Sequence, residues 1–319
     1  MNGISDAALH HLREVTDLPD LSETPYEILE TLGRGGMGTV YRAVDRKLDR
    51  EVALKVVQLP EGARETVDRL LREARVLARL EHPGIVPVHD AGLLPDGRAF
   101  YAMKRVRGLR LDEHARAVLL TERLRAFERV CEAVAFAHAH GVIHRDLKPE
   151  NVMVGPFGEV LVMDWGVAKV NGDPPAGEEG RGGEGSTFQS METAHGTILG
   201  TPGYMAPEQE RGEVDRITGR TDVYALGAIL GFLLAGETPP RPLEAIRRRA
   251  MAAEPEDRYA KVEDLAADLA RYLAGLAVSA HRESLLDRAR RFGRRNRTAI
   301  LVVLAYLLMR VLLILILGR

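Results

Sequence analysis

The sequence predicts an α+β chain of two lobes: a small five-stranded sheet with one helix, then a mainly helical part. One membrane-spanning helix is expected to follow. Three observations carry this. Between 26 and 106, short runs of β-type residues are separated by glycine-rich and charged turns, the pattern of strands. After Gly108 the apolar residues recur at helical spacing. From 299 to 317 the chain reads AILVVLAYLLMRVLLILIL, apolar but for Arg310. At 319 residues there is enough chain for two compact units.

The elements follow in order. Residues 1–24 are polar and form a loosely held extension, with no basic-then-apolar leader pattern. The first lobe, 25–106, starts with three strands, YEILETL, TVYRAVD and EVALKVV. A helix over 63–80 keeps Val67, Leu70, Leu71, Ala74 and Leu77 on one face. IVPVHDAGLL and AFYAMKRV form a hairpin around Pro95-Asp96-Gly97. In the second lobe, 107–275, a long helix over 121–140 turns Leu124, Phe127, Cys131 and Val134 inward. NVMV and EVLVM are short strands flanking the turn at Pro156-Phe157-Gly158. The Gly-, Pro- and Glu-rich stretch 171–186 cannot bury a core and reads as a loop. Residues 222–235 form an almost wholly apolar central helix, and 265–273 belong to the last helix of this lobe. A basic segment, 276–297, leads to the apolar helix 298–317.

Composition excludes some partners. A net charge of −2, with 28% charged residues, gives no general attraction to nucleic acid, and none is expected to bind. Cys131 is the single cysteine, so no disulfide framework exists and a reducing compartment is expected. The terminal apolar stretch has no polar face at any helical period, and about 20 such residues span a bilayer. Arg310 works against insertion by about 2.5–3.5 kcal/mol, which the leucines and isoleucines around it offset. Seven arginines between 282 and 297, against Glu283 and Asp287, should stay on the cytoplasmic side. The expectation is a single-pass protein of the cell inner membrane, residues 1–297 in the cytoplasm and almost nothing outside. Self-association into a homodimer through the same helix, Arg310 included, is compatible with it.

The chemistry gathers in a few stretches. In LGRGGMGTV, Gly33, Gly35 and Gly38 lack side chains and let backbone N–H groups approach an anion. A strand follows them, not the helix that a dinucleotide site requires, so they read as a hairpin lid over phosphates. Lys55 ends Val52-Ala53-Leu54-Lys55, an apolar run, and needs an anionic partner; Glu73 on the next helix is the candidate. VIHRDLKPENVMV crowds Asp146, Lys148 and Asn151 between two apolar runs, as a loop aimed into a cleft would. A hairpin then leads to Asp164, an acid at the end of an apolar strand. Such a carboxylate is costly without a partner, and a cation is the expected one. Trp165, the one tryptophan, stands beside it.

Taken together these stretches resemble the protein kinase family. The glycine loop at 33–40, VALK at 52–55, HRDLKPEN at 144–151, DWG at 164–166 and APE at 206–208 occur in that family's order. The resemblance runs from about 26 to 273, and GRGGMGTVY and GTPGYMAPEQ look most like membrane-anchored bacterial Ser/Thr kinases. It implies the bilobal protein-kinase fold, ATP with magnesium or manganese as cofactors, and proteins with Ser/Thr acceptors as substrates. Leu32, Gly33, Gly35, Gly38, Val40, Ala53, Lys55, Met103, Val106 and Met153 would bind the nucleotide. Lys55 would hold the α- and β-phosphates and pair with Glu73. Asp146 would take the proton of the acceptor hydroxyl, Lys148 would neutralise the γ-phosphate, and Asn151 and Asp164 would hold the metal. Glu208 would pair with Arg258, Asp222 would anchor the HRD loop, and Thr201 would orient the acceptor.

The same resemblance makes Thr193 and Thr197, in the loop that also carries Ser186, Thr187 and Ser190, the expected autophosphorylation sites, met by Arg145. Two departures stand out. Trp165 replaces the family's phenylalanine, and it can fill that slot with one N–H to satisfy. The segment from Gly236 to Tyr259 is short, so an extra helix and loop are expected to be missing and the end of the apolar helix to need another cover. The alternatives are a small-molecule kinase of similar fold and a catalytically weak pseudokinase acting as a membrane-tethered binding module. The APE and GTPGY segments argue against the first; Lys55, Asp146 and Asp164 argue against the second.

Overall fold

The computed structural model describes residues 18–35, 38–57, 71, 74–165, 203–236, 238–281 and 297–317. Glu73, Gly166, the loop residues Ser186, Thr187, Ser190, Thr193, Thr197 and Thr201, and the basic segment 282–296 lie outside them. Packing divides the chain into two units, one of Met1–Val118 with Glu132–Pro202, the other of Leu119–Cys131 with Gly203–Arg319. The lobe limit expected at 106/107 falls within the first of these units.

The first unit holds β1 (Tyr26–Gly35), β2 (Gly38–Asp45), β3 (Arg50–Val57), β4 (Val88–Leu93) and β5 (Ala99–Lys104). They form one sheet of order β1-β2-β3-β5-β4 with every neighbour antiparallel. All five predicted strands are present, and the β4–β5 turn takes Gly97 at φ +82, a conformation that suits glycine. Alternation gives the sheet two faces. One buries Tyr41, Ala43, Val52, Leu54, Phe100 and Ala102 in a core. Burying each large apolar side chain stabilises by roughly 1.5–3 kcal/mol. The other face carries Val40, Ala53, Lys55 and Met103.

The predicted extension is anchored at its end. Asp20 N donates to Asp96 Oδ2 at 3.0 Å, Leu18 O accepts from Arg98 Nη2 at 2.8 Å, and Leu21 packs on the core. Residues 71 and 74–78 are helical, within the helix predicted over 63–80.

A second sheet, β6 (Leu109–Arg110), β7 (Val152–Val154) and β8 (Val160–Val162), completes the unit. β7 and β8 are the predicted hairpin; β6 was too short to be read. Gly108 at φ +151 brings β6 in so closely that a Cβ there would lie 2.2 Å from Val154 O. Ile85 bridges Val162 in parallel on the other side of β8. α1 (Leu111–Ala117) and α2 (Leu120–Ala139) follow β6 in the chain. Leu124, Phe127, Cys131 and Val134 of α2 are all buried, as expected.

The second unit is helical: α3 (Pro207–Glu210), α4 (Gly219–Leu233), α5 (Arg241–Ala250) and α6 (Val262–Leu273). α4 starts where Thr218 accepts from Arg220 N at 3.3 Å and Thr221 Oγ1 accepts from Thr218 N at 3.2 Å. Its apolar end, expected to need another cover, has one. The short segment after Gly236 folds into α5, whose Leu243, Ile246 and Ala250 are fully buried, as are Ile229, Leu230 and Leu233 of α4. Gly227 permits the approach: a Cβ there would lie 2.8 Å from Ala250 Cβ and 2.7 Å from Met251 Cγ.

Two buried carboxylates tie this unit together. Glu208 and Arg258 are both fully buried and bind as a fork, Nη1 to Oε1 at 2.7 Å and Nη2 to Oε2 at 2.8 Å. Thr221 Oγ1 also donates to Glu208 Oε1, at 2.9 Å. The remaining Arg258 N–H groups donate to the carbonyls of Ala252, Arg220 and Ala253 at 2.8, 3.0 and 3.0 Å. Burial would raise the Glu208 carboxyl; Arg258 outweighs it and holds it below the ordinary range. Asp268 accepts from Tyr259 Oη at 2.9 Å, Ser279 N at 2.7 Å, Ser279 Oγ at 2.8 Å and Ala280 N at 3.0 Å. It thereby fixes the chain that follows α6.

The last helix, α7 (Arg297–Leu317), is continuous over 21 residues. Its side chains are described from Ile300 to Arg310, and the apolar ones there are exposed. The rest of its side chains lie outside the described residues, and among the described residues no helix is long and apolar enough to cross a membrane.

Candidate active site

The catalytic candidates sit together in the first unit because the β7–β8 register pairs the ends of that hairpin. Val152 opposes Val162, so Asn151 and Met163 meet at its open end, where Met163 N donates to Asn151 O at 2.8 Å. Asn151 and Asp164, which bracket the hairpin in sequence, are thereby brought to the same end. A single 3-10 turn, Pro149–Asn151, delivers Asn151 there, with Asn151 N bonded to Lys148 O at 3.0 Å.

Asp146 is held from two sides. Lys148 Nζ lies 3.0 Å from its Oδ2, and Asn151 Nδ2 donates to the same oxygen at 3.1 Å and to Asp146 O at 2.8 Å. His144, to which the sequence reading gave no role, is the fully buried hub beneath them. Its Nδ1 accepts from Asp146 N at 3.3 Å, and its Nε2 lies 2.9 Å from Met163 O. A carbonyl only accepts, so the proton is on Nε2. One imidazole thus joins the loop bearing Asp146 to the residue before Asp164. A polar side chain between Ile143 and the charged loop was the available signal.

Asp164 takes φ +52, a left-handed conformation that costs a non-glycine residue on the order of 1–3 kcal/mol. Trp165 steadies it. The indole is buried, its Nε1 donates to Val162 O at 3.1 Å, and its ring lies 4.7 Å from that of His144. The indole N–H is satisfied, as expected, by a hydrogen bond that phenylalanine could not make.

Lys55 meets Asp164 directly, Nζ to Oδ1 at 2.5 Å, and its ammonium lies 5.7 Å from the Tyr101 ring. Burial alone would lower the lysine pKa; Tyr101 and Asp164 outweigh it and hold the ammonium above its ordinary value. The expected partner, Glu73, lies outside the described residues. Tyr101 was not foreseen, although it alternates with Met103 on β5 and stands opposite Lys55.

The glycine loop is the hairpin that was expected. Gly33 opposes Val40 and Gly35 opposes Gly38. Gly38 cannot be replaced without strain: its φ is +136, and a Cβ would lie 2.1 Å from Val56 O. Val40 opposes Lys55 and Ala53 opposes Met103, so these four share a face. Leu32 is exposed, while Val40, Met103, Val106 and Met153 are half-buried, and Ala53 is buried.

The donors fit a hard divalent cation. Asn151 uses Nδ2 on Asp146, which leaves Oδ1 to accept; Asp164 gives Oδ1 to Lys55, which leaves Oδ2. Among the described residues no group of three or more His, Cys, Asp or Glu could hold a metal ion. A cation here would fill its shell from phosphate and water oxygens.

A family model for the protein kinase domain matches residues 26–288. The chain belongs to the protein kinase family. The chain is 33% identical over 309 residues to the serine/threonine-protein kinase PknD of Protochlamydia amoebophila, covering 82% of this chain and 31% of that protein. It is 35% identical over 295 residues to PknD of Chlamydia caviae, covering 78% and 31%. The chain therefore spans about a third of the length of these curated relatives. Among solved structures it resembles the kinase domain of Mycobacterium tuberculosis PknI, at a TM-score of 0.59 and 28% identity, covering 79% of this chain and 96% of that one.

Proposed function

We propose that this kinase transfers the γ-phosphoryl group of ATP to serine and threonine hydroxyls of proteins. The observation that carries the reading is the shared anchoring of Asp146 by Lys148 and Asn151, with the Lys55–Asp164 pair at the end of the same hairpin. The acceptor oxygen would form a bond to the γ-phosphorus as the bond to the β,γ-bridging oxygen breaks. ADP leaves with that oxygen, and the acceptor proton passes to Asp146. Lys148, beside Asp146, would offset charge on the transferred group, and Lys55 would hold the non-transferred phosphates. Asn151 and Asp164 would carry magnesium, which supplies charge neutralisation on the phosphates. A pseudokinase would normally have lost Lys55, Asp146 or Asp164, and all three are present.

Thr193 and Thr197 are the proposed autophosphorylation sites, with Arg145 as the partner of the phosphate. One assay tests both proposals: the full chain is incubated with γ-labelled ATP, a generic protein acceptor and magnesium or manganese, and phosphorylated residues are mapped. Label should appear on serine and threonine and vanish with a chelator. No metal-dependent transfer would defeat the kinase reading, and phosphate confined to other segments would defeat the two threonines.

The apolar sequence of α7 supports a further proposal: that it inserts in the inner membrane with the arginines of 282–297 on the cytoplasmic side. The chain should then stay in the membrane pellet after an alkaline carbonate wash; release into the supernatant would refute insertion.

A further inference from the structure

The nucleotide face of the first sheet carries one group that the slot does not account for. Val44 opposes Glu51, and residues two apart on a strand share a face, so Glu51 stands on the face of Ala53 and Lys55. Val52 opposes Lys104, so β5 ends beside Glu51, and Arg105, Val106 and Arg107 run on from there. One carboxylate then gathers three arginines. Glu51 Oε1 accepts from Arg42 Nε at 3.2 Å and from Arg42 Nη2, while Oε2 accepts from Arg107 Nη2 at 2.9 Å and from Arg105 Nη1. Arg42 is held in turn by Glu30 at 3.0 Å. Arg42 most, then Arg107, hold the Glu51 carboxyl down to about 2, so it is charged at any working pH.

We propose that Glu51 is a positioning residue for the nucleotide: by holding Arg105 and Arg107, the two neighbours of Val106, it fixes the segment against which the base of ATP would pack. This rests on the kinase reading. Ordering a segment before binding removes a cost otherwise met when the ligand arrives. Without the carboxylate, Arg42, Arg105 and Arg107 lose their common partner and repel one another, and the Val106 segment loosens. Glu51 bonds to arginines on this face and not to Asp146, Lys148, Asn151 or Asp164. Affinity for the nucleotide should therefore fall while turnover holds.

The test uses the full chain. In Glu51→Gln the KM for ATP should rise about three- to tenfold with kcat within twofold, and the Kd for ADP by isothermal titration should rise by the same factor. Replacing Arg105 and Arg107 together by alanine leaves Glu51 with Arg42 and should give the same rise. Adding Glu51→Gln to that pair should then change KM by less than twofold, since the interaction is already gone. Constants for Glu51→Gln within twofold of the parent, a loss confined to kcat, or effects that simply multiply would overturn the proposal. Should the parent show no transfer, the kinase reading fails instead, and the ADP titration still decides the role of Glu51.

Discussion

Asp146→Asn is expected to fold as the parent does and to lower kcat by about two to four orders of magnitude at saturating ATP. The substitution keeps the size of the side chain and its contact with Lys148, but an amide cannot take the acceptor's proton. The backbone around it is held by groups that the change leaves intact: His144 Nδ1 still accepts from Asp146 N, and Asn151 Nδ2 still donates to the residue 146 carbonyl. Binding of ATP should change little, because Lys55, the glycine hairpin and Ala53 lie on other strands. Steady-state kinetics beside a thermal unfolding curve check this. A variant retaining more than a tenth of parental kcat would show that the base lies elsewhere.

The second large effect concerns stability. Arg258→Ala should cost about 3–5 kcal/mol, because it leaves Glu208 fully buried with Thr221 as its remaining side-chain donor. Glu208→Ala should cost a similar amount by stranding the guanidinium. Arg258→Lys should recover only part, since an ammonium cannot reproduce the fork or reach all three carbonyls. The pair also predicts an acid dependence. The folded Glu208 pKa is depressed, so its contribution is fully present above the unfolded value of about 4.3 and is lost as pH falls through the lower folded value. Urea unfolding of the full chain at pH 7 and at pH 4 measures both. A loss under about 1 kcal/mol for Arg258→Ala at pH 7 would remove the pair from the account of stability.

What could be read from the chain followed from how local each signal is. The strands of the first sheet are runs of β-type residues set off by turns, and Pro95-Asp96-Gly97 and Pro156-Phe157-Gly158 mark two hairpins by composition. The candidate set 146–151 lies within six residues, so its crowding is visible without any fold. α5 was readable in principle, since Leu243, Ile246 and Ala250 recur on one face. The signal is masked because arginines fill most other positions and the segment is short. β6, with two residues, carries no period at all.

The groups that act across distance left no such trace. That Lys55 would meet Asp164, 109 residues away, follows only once the sheet and the β7–β8 hairpin are folded. The same holds for His144 beneath two loops, for Tyr101 opposite Lys55 and for Glu51 gathering Arg105 and Arg107. The sequence by itself determined which residues are the candidates, which elements hold them and to which family the chain belongs, because composition, periodicity and motif spacing are local properties. The Glu208–Arg258 pair apart, which the family resemblance implied, only the tertiary structure decided which charges neutralise one another. A charged group inside a fold takes whichever partner the backbone brings within about 3 Å, and strand register and packing set that distance, not nearness in the chain.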